Sequence, residues 1–444
     1  MKKLFTALLI TCFVCISIPA QAASLQDVRS LVEQYYVDEL SPAFYEATTI
    51  DELMATLDPY SAYFSPMEYE QYVNDIDLES VGIGIYFEQH PDGAYITDTI
   101  EHSPAAQAGL VAGSIILQVD GRSLTAMTQE QMSAILRGAA GTIVTLTVQL
   151  PTNAMQTYTI TRQAFQTPKV SSNLLYGKIG YIALYTFSDD ADTLMRRALS
   201  NLREQGATSY IIDLRNNGGG YVETAEKIIG MFTNSPLAYL LHTKNQSQLY
   251  SSVGTYRKFP LNSRLLVNEY SASASEMTAA ALQDQQAAIL YGQKTYGKGS
   301  MQQFLNFSDG SYLKLTIATF TGPNGKTIHE KGVIPDIVTT SPLEDAHFDA
   351  LTEKLQYAIQ PTLTKDAHSS SLYIVHKQIA NTAKNRYHFV QLGTDKKLEF
   401  SAAKSGKRYA RLTFNEPLKA GATYALITEA TDTQPGKIQK IIVR

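Results

Sequence analysis

The sequence predicts a multidomain α/β protein whose central part is built on a largely parallel sheet. Strands and helices alternate over residues 165–340, the order that produces parallel strands with right-handed crossovers. Residues 79–150 have short strands and two helices divided by glycine-rich turns, and residues 371–444 have short alternating runs. We therefore expect a parallel α/β core, a small domain before it, and a small all-β domain after it.

The amino terminus, MKKLFTALLITCFVCISIPAQAAS, has the features of a secretory signal peptide. Two lysines precede an apolar stretch from Leu4 to Ile18, and Ala20-Gln21-Ala22 is a small-x-small cleavage signal. We expect residues 1–22 to be removed and the mature protein to be periplasmic, or extracellular, in a bacterium. Both cysteines, Cys12 and Cys15, fall in this segment, so the mature chain should have no disulfide and no thiol nucleophile.

Composition argues against several classes of function. The net charge of -5 provides no basic stripe, so nucleic acid is not an expected partner. The eight histidines are scattered and form no HExxH motif, so we expect no metal site and no other cofactor. No segment after the signal peptide approaches the roughly 20 apolar residues that span a bilayer, so no transmembrane segment is expected in the mature chain.

Residues 23–78 are predicted to form short helices. Leu25, Val28 and Leu31 fall at helical spacing, and the stretch LDPYSAYFSP at residues 57–66 is a turn-rich break. We interpret this segment as a helical lead-in without chemistry of its own.

Three motifs follow one another within residues 79–150: VGIGIYF, SPAAQAGL and GSIILQVDG. The second predicts a short helix with Ser103 as the N-cap and Pro104 at the first helical position. This order resembles a PDZ domain, a module that binds protein C-termini by adding the peptide as an extra strand. The glycines of the first motif suit a loop whose N–H groups bind a terminal carboxylate. The predicted peptide-binding residues are Val81, Gly82, Ile83, Gly84 and Ile85.

Within residues 165–340, two segments are predicted at the carboxyl ends of strands, where ligands of parallel sheets gather. SYIIDLRNNGGG is a buried strand that runs into a glycine-rich turn, and SRLLVNEYSASASE leads from a strand into a helix. Ser271, Ser273 and Ser275 would share one face, so spacing alone does not select a nucleophile. We expect Ser275 to cap the helix and Ser273 to project into a cleft.

A serine nucleophile needs a base, and no histidine lies in a motif that signals one. TYGKGSMQQF places Lys298 between two glycines, and in an extended chain Lys298, Ser300 and Gln302 would point to the same side. Lysine acts as a base only if burial lowers its pKa toward neutrality. Considered alone, Lys298 is better explained as a loop lysine in a turn.

Taken together, the motifs resemble those of the carboxyl-terminal processing peptidases, serine proteases that combine a PDZ domain with a Ser–Lys catalytic core. The match covers roughly residues 30–340 and includes LDPYSAYFSP, DLRNNGGG, SASASE, TYGKGSMQQF and KGVIPDI. It implies a ClpP/crotonase-like core with an inserted or preceding PDZ domain. In one respect the sequence departs from the family, because Gly218 stands where the family usually has proline.

The resemblance also implies a role for individual residues. It makes Ser273 the nucleophile and Lys298 the general base, with Gln302 orienting the lysine. It assigns the oxyanion hole to two backbone N–H groups and adds two supporting residues, one near the site and one that couples the PDZ position to catalysis. These are Gly219 and Ala274 for the oxyanion hole, Asp284 near the site, and Arg137 in the PDZ domain. A surface charge at a helix end explains Arg137 nearly as well.

Beyond the core, residues 341–362 are predicted to form a helix with one apolar face, stopped by Pro361. A linker at 363–370 would lead to the small all-β domain at 371–444, interpreted as a structural or docking appendage.

The expected function is that of a serine endopeptidase that binds protein C-terminal tails and hydrolyses peptide bonds with a Ser–Lys dyad. Its partners would be proteins or peptides with accessible C-termini, and an adaptor or an oligomer is left open. The main alternative is a non-catalytic PDZ scaffold on the same fold. A crotonase-like acyl-thioester enzyme is less favoured, because it would have no need of a PDZ domain and a signal peptide.

Overall fold

The computed structural model describes residues 23–77, 79–366, 371–375, 387–405, 409–430 and 435–444. The predicted signal peptide lies outside these residues. Within them, no helix is long and apolar enough to cross a membrane, and no group of three or more His, Cys, Asp or Glu side chains is arranged to hold a metal ion. The chain forms two compact units, one of residues up to 71 with 302–317, the other of residues 72–301 with 318–444.

In the first unit, the amino-terminal helices pack on a strand. Ser24 caps the first helix, because its hydroxyl accepts from the N–H of Asp27 while the Asp27 carboxylate accepts from the N–H of Ser24. Val28 and Phe44 are fully buried in one cluster with Leu313. The elements are α1 (Leu25–Tyr35), α2 (Pro42–Glu46), α3 (Ile50–Met54), β1 (Ala62–Phe64) and the start of α4 (Pro66–Ile76), with parts of β17 (Ser300–Asn306) and β18 (Tyr312–Thr321).

The second unit begins with the part that resembles a PDZ domain, an antiparallel sheet with strand order β3-β4-β5-β7-β8, in which β6 pairs with β5. β3 is the end strand of this order. The sheet continues past residue 150, because β8 pairs with β7 along its whole length. The elements are β2 (Glu79–Gly82), β3 (Ile85–His90), β4 (Gly93–Thr99), α5 (Pro104–Gln107), β5 (Ile115–Val119), β6 (Arg122–Ser123), α6 (Gln129–Leu136), β7 (Ile143–Gln149), β8 (Met155–Thr161) and β9 (Gln163–Gln166).

A six-stranded sheet with strand order β10-β11-β12-β15-β16-β19 forms the α/β core. All neighbouring strands are parallel except β10 and β11. β12 and β15 are adjacent, so the glycine-rich turn after β12 and the serines after β15 lie at the same edge, as the sequence predicts. The elements of the sheet and its helices are β10 (Val170–Leu175), β11 (Ile179–Leu184), α7 (Ala191–Glu204), β12 (Ser209–Asp213), α8 (Val222–Ile229), β15 (Ser263–Val267), α9 (Ala274–Asp284), β16 (Ala288–Gly292), β19 (Ile337–Val338) and α10 (Pro342–Leu355). Outside this sheet, β13 (Leu237–Thr243) and β14 (Ser247–Ser251) pair with each other as antiparallel strands.

The carboxyl-terminal part consists of two sheets with strand orders β20-β27-β26-β22-β23 and β21-β25-β24. It is not an isolated appendage, because Val390 and Ile427 belong to the same buried cluster as Leu351 of α10 and Ile211 of β12. The elements are β20 (Ala358–Lys365), β21 (Ser371–Val375), β22 (Tyr387–Gln391), β23 (Lys397–Leu398), β24 (Phe400–Ser405), β25 (Tyr409–Phe414), β26 (Thr423–Thr428) and β27 (Lys437–Val443).

The helix predicted over residues 341–362 ends earlier than expected. α10 stops at Leu355, where Gln356 adopts a left-handed conformation with φ of 52°. The following residues form β20, which pairs in parallel with β27, and the register shifts between Gln360 and Leu363. Pro361 therefore lies in a strand at an irregularity, where its missing N–H is tolerated. The apolar spacing that suggested a longer helix ends on Ile359, which is 62% exposed.

His347 of α10 joins the carboxyl-terminal part to the core. Its side chain is fully buried, with Nε2 2.9 Å from the carbonyl oxygen of Tyr176 and Nδ1 accepting from the N–H of Gly393 at 2.9 Å. The two partners require a neutral ring that donates from Nε2 and accepts at Nδ1. Burial lowers the pKa of His347 to about 4.

This histidine predicts a loss of stability in acid. The unfolded chain binds the proton with a pKa of about 6.5 and the folded chain at about 4, so stability is lost as the pH falls from 6.5 to 4, by about 3 kcal/mol. We expect urea unfolding of His347→Gln to lack this part of the pH dependence. His102→Gln, a change at a 91% exposed histidine, should retain it. Identical pH profiles for wild type and His347→Gln would contradict the assignment.

Candidate active site

The three serines of SASASE differ in the partners of their hydroxyl groups. Ser271 Oγ donates to the carbonyl oxygen of Leu214 at 2.8 Å, and Ser275 Oγ donates to that of Asn217 at 2.9 Å. Both serines are fully buried, whereas Ser273 between them is partly exposed. The outer serines therefore fasten this loop to the turn that follows β12, and of the three serines only Ser273 keeps a partly exposed side chain.

Ser273 occupies the N-cap position of α9 with φ of 56° and ψ of −115°. A positive φ at a residue with a side chain costs on the order of 1–3 kcal/mol and persists only where the surroundings impose it. Here the N–H of Ala272 donates to Asn217, and the carbonyl oxygen of Ser273 accepts from the N–H of Met277. The expectation that Ser275 caps the helix was wrong, since Ser275 lies within the first turn and its hydroxyl bonds the neighbouring turn.

Gly219 packs directly against Ser273. A Cβ atom at residue 219 would lie 2.8 Å from the Ser273 Cβ and 2.9 Å from the carbonyl oxygen of Ala272, and the φ of Gly219 is +108°. Both the contact and the conformation require glycine.

The two N–H groups assigned to the oxyanion hole both lie next to Ser273. Ala274 is the first residue of α9, where a helix leaves its N–H groups without intrahelical partners. The N–H of Gly219, by contrast, donates to Oδ1 of Asn217 at 2.9 Å. In this conformation it is engaged within its own turn, so its action on an oxyanion stays a prediction.

The carboxylate of Glu276 connects the loop of Ser273 to the loop of Lys298. Its Oε2 accepts from the N–H of Ser273 at 3.0 Å and from the N–H of Lys298 at 2.7 Å. Its Oε1 accepts from the hydroxyl of Thr295 and from the N–H of Gly297, each at 2.6 Å. The side chain is fully buried. Burial raises the pKa of Glu276, and these four hydrogen bonds oppose that rise.

The sequence analysis did not identify Glu276. A signal was available, because Ser273-x-x-Glu276 has the spacing of a capping box. That motif predicts the contact with the N–H of Ser273. It does not predict the three donors from residues 295–298, which depend on how two loops meet.

The glycines around Lys298 are explained by the backbone of residues 329–332. A Cβ at Gly299 would lie 2.4 Å from the nitrogen of His329, and one at Gly297 would lie 3.2 Å from backbone atoms of Glu330 and Gly332. The N–H of Glu330 also donates to the carbonyl oxygen of Gly297. Lys298 is thus held at a close backbone crossing and its side chain is partly buried, so it is not an ordinary solvated loop lysine.

Gln302 bonds a residue of its own unit, and Asp284 bonds a loop at the far end of α9. Gln302 lies in the first unit, where its Nε2 donates to Oγ1 of Thr316 at 3.1 Å. Asp284 ends α9, about 16 Å along the helix axis from Ser273. Its carboxylate accepts from the N–H of Asn324 at 2.9 Å. The structure does not bring Asp284 to Ser273, and any support it gives to the site would act through the helix.

The predicted peptide-binding residues line a cavity of about 200 Å³. Gly84 has φ of +76°, its carbonyl oxygen accepts from Ser103 Oγ, and a Cβ there would lie 2.2 Å from the Ser103 Cβ. Arg137 also lines this cavity. So does Phe165 of β9, which the sequence analysis did not select because it lies beyond the predicted boundary at residue 150. The complete lining is Val81, Gly82, Ile83, Gly84, Ile85, Tyr86, Phe87, Ile100, Leu136, Arg137, Phe165 and Thr167.

The neighbouring glycines of the turn predict opposite responses to alanine. At Gly218, no heavy atom of the described residues lies within 4 Å of an added Cβ, and φ is outside the left-handed region. Gly218→Ala should therefore raise the unfolding free energy by about 0.4–1 kcal/mol, because it restricts the unfolded chain. Gly219→Ala should lower it by about 1–3 kcal/mol. Urea denaturation measures both, and equal effects would contradict this account of the turn.

Comparison with known proteins gives two family matches and several sequence relatives. Residues 178–339 match Peptidase family S41, and residues 95–150 match the PDZ domain family. The chain is 34% identical to a carboxyl-terminal-processing protease of Synechocystis sp. over 74% of this chain and 78% of the relative. It is 33% identical to a protein of the same name from Picosynechococcus sp. over 72% of this chain and 79% of the relative.

Among solved structures, an S41 protease from Bacteroides fragilis aligns with a TM-score of 0.52 at 19% identity, covering 73% of this chain and 92% of that one. At this identity the match shows a shared fold alone. The two sequence relatives carry the further conclusion, because each is more than 30% identical and most of its length is covered. Both resemblances stated from the motifs are thereby confirmed, and the chain belongs to the carboxyl-terminal-processing proteases of peptidase family S41, serine peptidases that here carry a PDZ domain.

Proposed function

We propose that this peptidase hydrolyses peptide bonds with Ser273 as nucleophile and Lys298 as general base, in substrates whose C-terminal tail is bound by the PDZ domain. The observation that carries the proposal is the carboxylate of Glu276, which accepts hydrogen bonds from the backbone N–H groups of both Ser273 and Lys298. The carboxylate therefore joins two loops that follow different strands, at the two residues to which the proposal gives the chemistry.

In the proposed mechanism, Ser273 Oγ attacks the scissile carbonyl while neutral Lys298 takes its proton. The lysine then gives that proton to the leaving amine. In the second half of the reaction, Lys298 takes a proton from water as the water oxygen attacks the acyl carbonyl, and it returns the proton to Ser273 Oγ as the ester bond breaks. Gln302 orients the lysine amine. The position of Lys298 at the close backbone crossing, with its side chain partly buried, supports this role.

The developing oxyanion would be bound by the N–H groups of Ala274 and Gly219. The first is supported by its position at the start of α9, where the helix dipole favours negative charge. For the second, the peptide unit between Gly218 and Gly219 must turn so that its N–H leaves Asn217 Oδ1 and faces Ser273. Loss of one such donor typically costs about 100- to 1,000-fold in turnover.

Tail recognition is supported by the cavity beside the Val81–Ile85 loop and by β3 at the end of its sheet. A tail that pairs with β3 would place its carboxylate at the loop, and Arg137 supplies positive charge to the same cavity. The core would belong to the ClpP/crotonase-like folds. The protein would act in the periplasm, or outside the cell, after removal of residues 1–22, and an adaptor or an oligomer is compatible with this proposal.

The proposal is tested with purified mature protein and an unfolded protein substrate that has an apolar tail. We expect fragments from wild type and none above background from Ser273→Ala or Lys298→Ala, because each variant lacks one half of the dyad. Cleavage by either variant at the wild-type rate would exclude the mechanism, and no cleavage by wild type would favour a scaffold.

In the same assay, a peptide substrate with a free terminal carboxylate is compared with its terminal amide. Hydrogen bonds to a charged group contribute about 1.5–3 kcal/mol, so we expect the amide to have a kcat/KM lower by about 10-fold or more. Equal values for the two peptides would remove tail recognition from the proposal and leave the dyad untouched.

Glu276→Gln should lower kcat by about 100-fold with little change in KM. The substitution keeps the size of the side chain, but its amide nitrogen cannot accept from the donors that the carboxylate now serves. Glu223→Gln is the matched control, since Glu223 is an exposed acidic residue in the first turn of α8. A Glu276→Gln enzyme with wild-type kcat would show that the bridge is not needed for catalysis.

A further inference from the structure

Gln302 lies on β17, and its amide bonds the neighbouring strand β18. Its Nε2 donates to Oγ1 of Thr316 at 3.1 Å. Thr316 is 2% exposed, so its hydroxyl must be satisfied by protein groups and not by bulk water. The partners of this hydroxyl therefore decide which end of the Gln302 amide it can accept.

The hydroxyl of Thr316 has a single proton, and Asp58 determines where that proton goes. Thr316 Oγ1 lies 2.9 Å from Asp58 Oδ1. A carboxylate accepts hydrogen bonds and donates none, so Thr316 donates its proton to Asp58. Only the lone pairs of Oγ1 then remain for Gln302. The amide must present its NH2 group to Thr316, and its carbonyl oxygen must point the other way.

Asp58 is itself held by its own loop, within the motif LDPYSAYFSP. Its Oδ1 also accepts from the N–H of Tyr60 at 2.8 Å, and its Oδ2 accepts from Ser61 Oγ at 2.7 Å. Ser61 Oγ in turn accepts from the backbone N–H of Thr316 at 3.1 Å. The loop thus binds both the main chain and the side chain of Thr316, which gives a function to a motif that the sequence analysis treated as a break between helices.

We propose that Asp58 and Thr316 are positioning residues that set the orientation of the Gln302 amide, with its NH2 group on Thr316 and its carbonyl oxygen directed away from Thr316. This inference rests on the proposed function, in which Gln302 orients Lys298. A carbonyl oxygen can accept from an amine N–H and leave the amine lone pair directed at the serine. A flipped amide would set its own N–H groups against those of the lysine.

The test is a double-mutant cycle in the peptidase assay. Thr316→Val keeps the shape of the side chain and removes the hydroxyl, and we expect kcat to fall by about 10- to 100-fold with KM unchanged. Thr316→Ser retains the hydroxyl and should restore kcat to within about threefold of wild type. Gln302→Ala should lower kcat by an amount similar to Thr316→Val. The kcat of the double variant should lie within about twofold of the kcat of Gln302→Ala, because Thr316 acts through Gln302.

Thr319→Val, the same substitution at a partly exposed position on β18, controls for effects on the strand and should retain wild-type kcat. The inference is overturned if Thr316→Val has the wild-type kcat, or if the two losses of kcat multiply in the double variant. Either result leaves the proposed function intact as long as cleavage depends on Ser273. If Ser273→Ala cleaves as well as wild type, the proposed function fails, and this inference fails with it.

Discussion

The candidate active site depends on one buried carboxylate that is shared by two loops. Ser273 follows β15 and Lys298 follows β16, and parallel neighbours place their following loops at one edge without fixing the distance between them. Glu276 supplies that constraint, because it accepts from both residues and from Thr295 and Gly297. Burying a carboxylate is unfavourable unless it is hydrogen-bonded, and four donors together with the start of a helix offset the cost. An apolar residue there would leave the donors unpaired, so the loops and the carboxylate depend on one another.

Ser271 and Ser275 hold the other side of the same edge. Ser271 and Ser275 each donate to a carbonyl oxygen of the turn after β12, while the backbone of Ala272 bonds the same turn. The turn after β12 and the carboxylate of Glu276 thus hold Ser273 from two sides. Its positive φ allows the chain to make both sets of hydrogen bonds. Small residues are required here because Gly219 and Ser273 approach within contact distance.

The parts of this protein that could be predicted from sequence are those that local pattern and parallel-sheet topology determine. The alternation of strands and helices was enough to place the turn and the serines at one edge. The two-residue alternation of a strand failed within SASASE, because β15 ends at Val267 and the serines lie in the following loop and the first turn of α9, so Ser271 and Ser275 do not share the environment of Ser273. The helical spacing of apolar residues gave a second wrong prediction after Leu355, where the chain forms β20 and pairs with β27. The role of Glu276 and the orientation of the Gln302 amide depend on contacts between distant segments, which no local pattern encodes.

Other contacts between segments distant in sequence connect the PDZ domain to the glycine-rich turn within the second unit. The carbonyl oxygen of Gly219 accepts from the N–H of Phe187 at 2.9 Å. The adjacent Thr186 donates through Oγ1 to the carbonyl oxygen of Ile76, at the end of the helix that leads into β2. The N–H of the residue before Thr186 donates to Lys169, on the segment that leads from β9 into the core. Both connections of the PDZ domain therefore bond residues next to Phe187, which bonds Gly219, so a shift of either connection would be absorbed near the peptide unit whose N–H turns toward Ser273 in the proposed mechanism.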